Sequence, residues 1–597
     1  MKSRVVVPAV LAVLGVLALS RAASAESLTP AEQAGFEATP SYAETLAYLE
    51  KLRPSLPEMY VGYFGSSGQG RPMPFVVVSK EKAFTGAKAR SLGKPIVLIQ
   101  SGIHAGEIDG KDATLMILRD MAAGKHRDLL DAMTLVFIPI YNVDGHECVS
   151  PYNRPNQDGP RSGMGFRTTA EGLDLNRDHV KLASEEARAL MSLIHDWRPH
   201  LHVDNHVTDG VDHDWVLTYA AAEAPQAPAP VAAWLGAHLP AALAATEKAG
   251  YRSGPYVDLK ERSDPSKGFS SWVGQPRFSS GFFPLLNRPS LLVETHSYKP
   301  YKQRVLATQA FLLSLLAEVA KDPAALTRAV ASAEAATVAQ GKPGAAPSDL
   351  VLIWAESDKP DRIRFPVYAS ENRPSVVSGQ PLLRYRRGEV AEAEVPWYHL
   401  SVAEKTVPRP RGYLVMPGWT AIEQRLRWHG LRVEKLQKPA ELEVEVARVG
   451  NPKLASFPYQ GMIQVTGADI ERHKEKRAVP AGTLWIPADQ QDFELAAQLL
   501  EPEAPDSLFA WGMLSTVFEQ KEYIDAGVLE DKAQEMLKDP ATAEAWKKAL
   551  QDEKFAADAF SRYLWWYRRT PYWDDTIGLL PIFRVTQAPA FATAPWK

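Results

Sequence analysis

The stretch Pro95–Gln100, continued by Ser101-Gly102-Ile103-His104-Ala105-Gly106-Glu107, decides the fold of this chain. Its first part is a short apolar run between proline and glycine, which predicts a buried strand. The residues that follow, Ile108–Met121, carry apolar side chains at helical spacing. His104 and Glu107 therefore lie where a strand gives way to a helix, and in open α/β sheets ligands bind at that edge.

His104 and Glu107 are three positions apart, so an imidazole nitrogen and a carboxylate oxygen can approach the same point. Zinc in hydrolytic sites has about three nitrogen or oxygen ligands from the protein and keeps one position for water. This pair supplies two such ligands and indicates a metal site. Taken alone, the pair also fits a capping carboxylate beside a surface histidine.

The composition excludes some classes of function. The 597 residues include 67 basic and 71 acidic side chains, and this near balance gives no indication of a nucleic-acid partner. The single cysteine, Cys148, excludes an intramolecular disulfide framework. We therefore expect the stability of the chain to come from the burial of apolar surface in its cores.

Residues 1–25 have the pattern of a cleavable secretory signal peptide. Lys2 and Arg4 precede the apolar run Val5–Leu19, and the small residues Ala23-Ser24-Ala25 form the expected cleavage site. We expect cleavage after Ala25 and no membrane span in the mature chain. Export without disulfides predicts a bacterial protein that is periplasmic or secreted.

Strand and helix patterns alternate in the first half of the chain. Thr134–Ile140 and Ser290–Val293 predict further strands. Ser184–Trp197 and Pro228–Ala249 predict helices between them. This alternation predicts an α/β fold with a mixed, mostly parallel central sheet and helices on both faces.

The composition changes after this half. Residues 324–347 are rich in alanine, proline and glycine, and short β-patterned runs follow them. The predicted organisation is a signal peptide at 1–25, a catalytic domain at 26–322, a linker at 323–348 and an accessory region at 349–597. We expect the accessory region to be β-rich to about residue 480 and helical beyond it.

The third metal ligand should lie at the end of another strand. His206 fits, because it follows the predicted strand Pro199–Asp204. His202 and His213 are rivals, although His202 falls in the middle of the predicted strand. Asp204 shares one face with His206, so its carboxylate is a candidate to orient the histidine.

Glu294 is the candidate for the general base. It ends the apolar run Ser290–Val293, and a carboxylate in such a place is costly unless it has a partner or a catalytic task. A glutamate paired with a nearby lysine or arginine is the structural alternative.

Arginine residues mark the long polar loop of residues 148–172 and its end. Arg177, beside Asn176, can bind a carboxylate through two nitrogens while the asparagine adds a donor. Arg167 is the candidate that polarises a substrate carbonyl. Arg154 and Arg161 compete with it for this role.

The candidate residues and their order along the chain resemble the pattern of the zinc carboxypeptidases of the M14 type. In that family the metal is held by two histidines and a glutamate. The family's His-x-x-Glu is matched by His104 and Glu107, its distal zinc histidine by His206, its catalytic glutamate by Glu294, its carboxylate-binding pair by Asn176-Arg177 and its transition-state arginine by Arg167. The resemblance extends over residues 41–320. It implies a peptidase with one zinc ion per chain and peptides as substrates.

Two positions depart from the digestive members of that family. They carry an arginine just after the zinc histidine, where this chain has Ala105 and Gly106. They also carry a mobile tyrosine some twenty residues before the catalytic glutamate. The corresponding window, Phe269–Gly281, contains no tyrosine, and Tyr256 lies further away. The departures therefore concern the substrate subsites.

Three functions fit these observations. The first is zinc-dependent hydrolysis of peptide bonds with release of C-terminal residues. The second uses the same zinc site as an amidohydrolase or deacylase of N-acyl amino acids, or as a hydrolase of peptidoglycan stem peptides. The third is a non-catalytic binding protein on a peptidase fold. The sequence gives no indication of the oligomeric state.

Overall fold

The computed structural model describes residues 28–208, 211–271, 273–587 and 591–596. The predicted signal peptide at 1–25 lies outside these residues. In the first part, the helices are α1 (Pro30–Gln33), α2 (Tyr42–Leu52), α3 (Gly86–Ser91), α4 (Asp109–Ala122), α5 (Leu129–Ala132), α6 (Val143–Glu147), α7 (Glu185–Trp197), α8 (Ala229–Lys248), α9 (Ser279–Leu285), α10 (Tyr301–Lys321) and α11 (Pro323–Gly341). The strands there are β1 (Met59–Ser66), β2 (Pro72–Val78), β3 (Ile96–Ser101), β4 (Thr134–Ile138), β5 (Leu201–Thr208), β6 (Leu217–Ala221), β7 (Ser253–Pro255), β8 (Val257–Leu259), β9 (Phe269–Ser271) and β10 (Ser290–His296).

The central sheet has eight strands in the order β1-β2-β4-β3-β5-β10-β6-β7. The four middle strands, β4, β3, β5 and β10, run parallel. The strands β2 and β6 pair antiparallel with this parallel core, and β1 pairs antiparallel with β2. The predicted fold class, a mixed and mostly parallel sheet, is confirmed.

Both faces of the sheet are covered. On one face, Val97 and Ile99 of β3 join a buried cluster with residues of α4, α8 and α10. On the other face, Ile96 and Leu98 join a second cluster with residues of α7 and α9. Alternate residues of β3 therefore pack on opposite sides, which explains why this strand reads as a continuous apolar run.

Two strands extend further than the sequence pattern indicates. The structure places the end of β5 at Thr208 and the end of β10 at His296. His206 and Glu294 therefore lie inside strands rather than just after them. The extension arises because β10 pairs along this length with β5 on one side and with β6 on the other, and these ladders satisfy backbone groups that apolar patterning does not report.

The stretch predicted as a linker contains a helix. In the stretch predicted as a linker, α11 spans Pro323–Gly341, and its residues Leu326, Val330 and Ala333 are buried against the first part of the chain. The domain boundaries remain predictions.

Among the described residues, α8 has the length and apolar composition of a membrane span, and its Val231 and Leu235 lie in the core cluster beside the sheet.

The second part begins at residue 349. Its strands are β11 (Asp349–Glu356), β12 (Asp361–Pro374), β13 (Pro381–Tyr398), β14 (Ser401–Pro408), β15 (Gly412–Val415), β16 (Glu434–Leu436), β17 (Ala440–Leu454), β18 (Val465–Val479), β19 (Leu484–Pro487), β20 (Ile582–Val585) and β21 (Thr593–Pro595). Its helices are α12 (Thr420–Trp428), α13 (Phe493–Leu500), α14 (Ala526–Met536), α15 (Pro540–Ala549), α16 (Glu553–Ala557) and α17 (Ala559–Tyr567). A β-rich segment followed by helices is the predicted order, and β20 and β21 then return to the sheet.

The two parts are tightly joined. The strand β13 pairs with β9 of the first part, with Trp397 opposite Phe269. The buried cluster on the α7 and α9 face continues into the second part through residues such as Tyr413 and Phe493. A shared core and a shared sheet therefore hold the second part against the first.

Arg304 ties together the segments that surround the predicted site. Its side chain is fully buried and donates from Nε to Asp109 Oδ2 over 2.8 Å, at the first turn of α4. It also donates from Nη1 to the carbonyl oxygens of Asp158, over 2.7 Å, and Lys299, over 2.6 Å. One arginine on α10 thus fixes a helix, the long polar loop and the residues after β10.

Replacing Arg304 with methionine should destabilise the fold strongly. The Asp109 carboxylate would remain buried without its cation, which typically costs about 3–5 kcal/mol. The measurement is urea unfolding followed by tryptophan fluorescence. Arg328→Met is the matched control, because Arg328 forms an exposed pair with Asp322 at 3.1 Å, and such pairs contribute about 0–1 kcal/mol. Equal effects of the two substitutions would contradict the role given to Arg304.

Candidate metal centre

Strand register brings the predicted site residues to one edge of the sheet. His206 of β5 lies directly opposite Glu294 of the parallel strand β10. On the other side of β5, Ser101 of β3 lies opposite Asn205, and His104 follows three residues later. The carboxyl ends of three adjacent strands therefore present two histidines and a glutamate to the same space, as the topology of parallel sheets dictates.

The turn between β3 and α4 places Glu107 between the histidines. The Glu107 backbone N–H donates to the His104 carbonyl over 2.9 Å, which closes the turn. A Cβ atom on Gly110 would lie 2.4 Å from Asn205 Cβ and 2.6 Å from Ser101 Oγ. Only glycine at this position allows the first turn of α4 to approach the ends of β3 and β5 so closely.

The three predicted ligands converge. His104 Nδ1 lies 3.0 Å from Glu107 Oε1, and His206 Nδ1 lies 2.9 Å from Glu107 Oε2. One donor atom from each of the three residues falls within 4.8 Å of the others. All three side chains are buried. Both histidines thus turn the same nitrogen, Nδ1, toward the glutamate.

The opposite nitrogen of each histidine meets a second carboxylate. His104 Nε2 lies 3.1 Å from Asp174 Oδ1, and His206 Nε2 lies 2.9 Å from Asp204 Oδ2. Carboxylates in this position fix the tautomer of a ligating histidine and make its other nitrogen more basic. The interpretation of Asp204 as an orienting group agrees with this geometry, whereas sequence reasoning missed Asp174.

The position of Asp174 at the start of a short helical turn is the one sequence feature that points to it. It precedes Asn176-Arg177 and caps the short helical turn Leu175–Arg177, where its Oδ1 accepts from the Asn176 N–H over 2.9 Å. Burial opposes ionisation of Asp174, but the neighbouring side chains of His104, Arg167 and Arg177 hold the pKa of its carboxyl far below the usual range. In the sequence, the capping role alone accounts for an aspartate at this position. Its contact with His104 becomes visible only in the folded structure.

Glu294 differs from the other acids of the site. It lies beside His206, and its Oε2 is buried without a hydrogen-bond partner among the described residues. Burial raises the pKa of Glu294 to about 8, and the Glu107 carboxylate adds to this rise while His206 opposes it. A buried carboxyl that exchanges a proton near neutral pH has the property that general acid–base catalysis requires.

Of the three candidate arginines, two reach the centre. Arg154 Nη2 lies 2.8 Å from Glu107 Oε1 and donates to the Val207 carbonyl over 2.9 Å. Arg167 donates from Nη2 to Asp174 Oδ2 over 2.9 Å, and its Nη1 lies 3.9 Å from Glu107 Oε1. Arg161 is exposed and pairs with Glu37 over 3.4 Å. The structure therefore keeps Arg154 and Arg167 as candidates to face a substrate carbonyl.

A cleft of about 600 Å³ opens at these residues, and Asn176 and Arg177 lie in its wall. The Asn176 side chain is fixed because its Oδ1 accepts from the Ser279 N–H over 3.0 Å. The Arg177 guanidinium lies over the Phe278 ring, with Cζ 4.3 Å from the ring centroid. All seven predicted site residues thus border one cavity.

The rival histidines take other places. His202 Nδ1 lies 3.0 Å from Ser290 Oγ, and its ring stacks on Phe283 with centroids 3.7 Å apart. Burial lowers the pKa of His202 to about 3. His213 packs against His296, with ring centroids 4.6 Å apart. Both are core residues, and the group that can hold a metal does not include them.

The donor set fits zinc. Two imidazole nitrogens and one carboxylate form the ligand set of hydrolytic zinc sites, which leave a further position open. The centre borders the cleft rather than being sealed in the core. Carboxylates behind both histidines add the outer support that ligating histidines usually have.

Replacing Asp174 with asparagine should weaken zinc binding by about 10- to 100-fold, because His104 loses the carboxylate that orients it. Competition with a chelator of known affinity measures the change. Glu171→Gln is the matched control, since Glu171 is an exposed acid three residues earlier and should leave the affinity unchanged. An Asp174→Asn protein with wild-type zinc affinity would contradict the orienting role.

Zinc affinity should also rise with pH. Burial alone would lower the pKa of His206, but the carboxylates of Asp204 and Glu107 raise it well above the usual value. The metal-free site therefore holds a proton on His206 that zinc must displace, and below this pKa the affinity should fall by about tenfold per pH unit. Chelator competition at pH 6, 7 and 8 measures the slope, and a flat profile would contradict proton displacement.

Comparisons with known proteins agree with this geometry. Residues 44–220 match the zinc carboxypeptidase family, Peptidase M14. Carboxypeptidase 2 of Trichophyton rubrum is 24% identical over 468 residues, which cover 75% of this chain and 79% of the relative. Carboxypeptidase 2 of Trichophyton equinum is 24% identical over 466 residues, with the same coverage of 75% and 79%.

Solved structures of similar proteins include two carboxypeptidases. The metallo-carboxypeptidase of Burkholderia cenocepacia is 19% identical, covers 47% of this chain and 69% of its own, and has a TM-score of 0.36. Carboxypeptidase A of Helicoverpa armigera is 18% identical, covers 50% of this chain and 75% of its own, and has the same TM-score of 0.36. On the family match, the chain contains a zinc carboxypeptidase domain of the M14 type and is a metallopeptidase.

Proposed function

We propose that the protein is a metallocarboxypeptidase that uses one zinc ion to release residues from the C-terminal end of peptides. The observation that carries this proposal is the convergence of His104, Glu107 and His206 at a cleft, beside Glu294, one of whose carboxyl oxygens has no hydrogen-bond partner in the described part of the chain. A ligand set alone would also serve a structural metal. The additional buried acid supports a reaction in which protons move.

His104, Glu107 and His206 would hold the metal, with Asp174 and Asp204 fixing the two imidazoles. A zinc ion bound there supplies Lewis acidity, which polarises a carbonyl and makes a neighbouring water more acidic. The protein ligands carry one negative charge, from Glu107. The charge of the ion therefore remains only partly neutralised, which favours the approach of an electron-rich substrate oxygen.

Glu294 is proposed as the general base and then the general acid. Its carboxylate accepts the proton of the attacking water, and the same carboxyl later donates a proton to the nitrogen of the leaving amine. A pKa near 8 in the metal-free site would fall toward neutrality beside a bound cation, because the positive charge favours the carboxylate. Both protonation states would then be accessible at neutral pH.

Arg167 is proposed to stabilise the negative charge that develops on the substrate carbonyl oxygen. It borders the cleft, and the bond to Asp174 holds its guanidinium next to the ligand Glu107. Fixed donors of this kind contribute strongly because they need no reorganisation when charge develops. Arg154 also faces Glu107 and is the second candidate for this role.

Asn176 and Arg177 are proposed to bind the terminal carboxylate of the substrate. An arginine can donate two parallel hydrogen bonds to a carboxylate, which fixes both position and orientation. The two residues border the same cleft as the metal ligands. A carboxylate held there would place the last peptide bond near the centre, which supports exopeptidase rather than endopeptidase activity.

Export is a further part of the proposal. Residues 1–25 support secretion or a periplasmic location through their basic, apolar and small-residue segments. Peptides outside the cytoplasm would then be the substrates. A peptidase with one cysteine needs no oxidative folding there.

Replacing Glu294 with glutamine should keep the bound zinc but lower kcat/KM for peptides by about 10²–10⁴-fold, the usual contribution of general acid–base catalysis. Steady-state kinetics on blocked dipeptides, together with metal analysis of the same sample, measure the two effects. Removal of zinc by a chelator should abolish activity in the wild type, and added zinc should restore it.

Glu318→Gln is the control for this substitution, since Glu318 is a buried glutamate on α10, paired with Lys321. It should retain wild-type activity. Near-full activity of Glu294→Gln at full zinc occupancy would remove Glu294 from the mechanism. Hydrolysis of N-acyl amino acids or muropeptides, but of no peptide, would replace the carboxypeptidase by the alternative zinc amidase.

A further inference from the structure

The β17–β18 hairpin of the second part of the chain contacts Arg177 in the wall of the cleft. Its tip, residues 455–464, is closed by reciprocal backbone hydrogen bonds between Tyr459 and Met462, of 2.9 and 3.1 Å. The two residues between them, Gln460 and Gly461, have φ angles of +52° and +76°. Positive φ at both central residues is the mark of the tight type I′ hairpin turn. The tip therefore has a defined geometry.

This tip contacts Arg177 of the proposed carboxylate site and Asp174, which lies two residues before Asn176. The Asp174 N–H donates to Gln460 Oε1 over 2.8 Å. Arg177 Nε donates to the Tyr459 hydroxyl oxygen over 3.1 Å. The first bond fixes the backbone of Asp174, whose side chain orients the proposed ligand His104. The second fixes the arginine that would bind the substrate carboxylate. The contact thus involves the backbone of Asp174 and the functional side chain of Arg177.

The Tyr459 ring is held independently of its hydroxyl group. It stacks on Trp511, with ring centroids 6.0 Å apart and planes 6° from parallel. Trp511 is itself buried, and the Arg277 guanidinium lies 5.1 Å from its centroid. Arg277 in turn pairs with Asp506 over 2.7 Å. Loss of the hydroxyl alone should therefore leave the ring in place.

The Arg177 guanidinium is fixed on several sides. Besides the bond to Tyr459, its Nη1 donates to the Asn176 carbonyl over 2.8 Å, and one face lies on the Phe278 ring. A bidentate bond to a carboxylate requires the guanidinium plane to have one orientation. Of these contacts, only the one with Tyr459 comes from the second part of the chain.

We propose that the second part of the chain completes the carboxylate site: Tyr459 is a positioning residue that holds Arg177 in the orientation needed for the terminal carboxylate of a peptide. This inference rests on the proposed carboxypeptidase function. The peptidase part has no tyrosine in Phe269–Gly281, and Tyr459 of the accessory region places a phenol beside Arg177. Recognition of the carboxylate is then a joint property of both parts.

The test compares Tyr459→Phe with Tyr523→Phe in the full-length zinc-loaded protein. Tyr523 is 79% exposed and gives a control for the loss of a phenol hydroxyl. The readouts are kcat and KM for a blocked dipeptide, and inhibition constants for two small molecules. One is the free amino acid product, which carries the carboxylate. The other is acetohydroxamate, which binds zinc without one.

In Tyr459→Phe, we expect KM and the inhibition constant of the amino acid to rise about three- to tenfold, the effect of one lost hydrogen bond. The inhibition constant of acetohydroxamate and kcat should change by less than about twofold. The unfolding midpoint should remain at the wild-type value, because the ring still stacks on Trp511. Tyr523→Phe should match the wild type. A merely structural role would not separate the two inhibitors.

A double-mutant cycle with Arg177→Ala sharpens the test. If Tyr459 acts through Arg177, its substitution should have no further effect when Arg177 is absent. The inference would be overturned if Tyr459→Phe left KM and amino acid inhibition unchanged, or if its full effect persisted in the Arg177→Ala background. Either result would leave the proposed function standing. A zinc-loaded wild type that hydrolyses no peptide would overturn the proposed function, and the inference with it.

Discussion

The pairing of β5 with β3 on one side and with β10 on the other is the constraint on which the site depends. Because this pairing is parallel, the three strands end at the same edge, and the register sets His206 opposite Glu294. A shift of one residue in β10 would turn Glu294 to the other face of the sheet. Apolar side chains buried on both faces prevent such a shift, so the geometry of the polar edge is a consequence of core packing.

The sequence predicts much of this arrangement, because the informative signals are local. A buried strand followed by His104 and Glu107 and then a helix identifies the edge, and the ends of two other apolar runs identify His206 and Glu294. Strand lengths were less accessible, since β5 and β10 continue through polar residues that only their pairing explains. Arg154, Asp174 and Tyr459 acquire their roles through contacts distant in sequence, and these have no local pattern.

The second part of the chain is integrated with the peptidase part rather than appended to it. They share a buried cluster and a β-sheet through β13 and β9, and the hairpin tip bonds to Asp174 and Arg177. The relatives named Carboxypeptidase 2 match 75% of this chain. The predicted catalytic domain at 26–322 contains only about half of its residues. Similarity therefore extends into the second part, as expected if that part supports the site.

The carboxyl groups of the site show how environment separates chemically identical side chains into different roles. Burial opposes the ionisation of Glu107, yet His104, Arg154 and His206 together keep the pKa of its carboxyl well below the usual value, so it stays an anion and a ligand. Glu294 is also buried, and burial together with the carboxylates of Glu107 and Asp204 raises its pKa to about 8 against the opposing effect of His206 and Arg154. Two acids with opposite shifts in one cavity are what a reaction needs when one must hold charge and the other must move a proton. The charged groups placed around each acid, together with its burial, therefore divide the labour within the site.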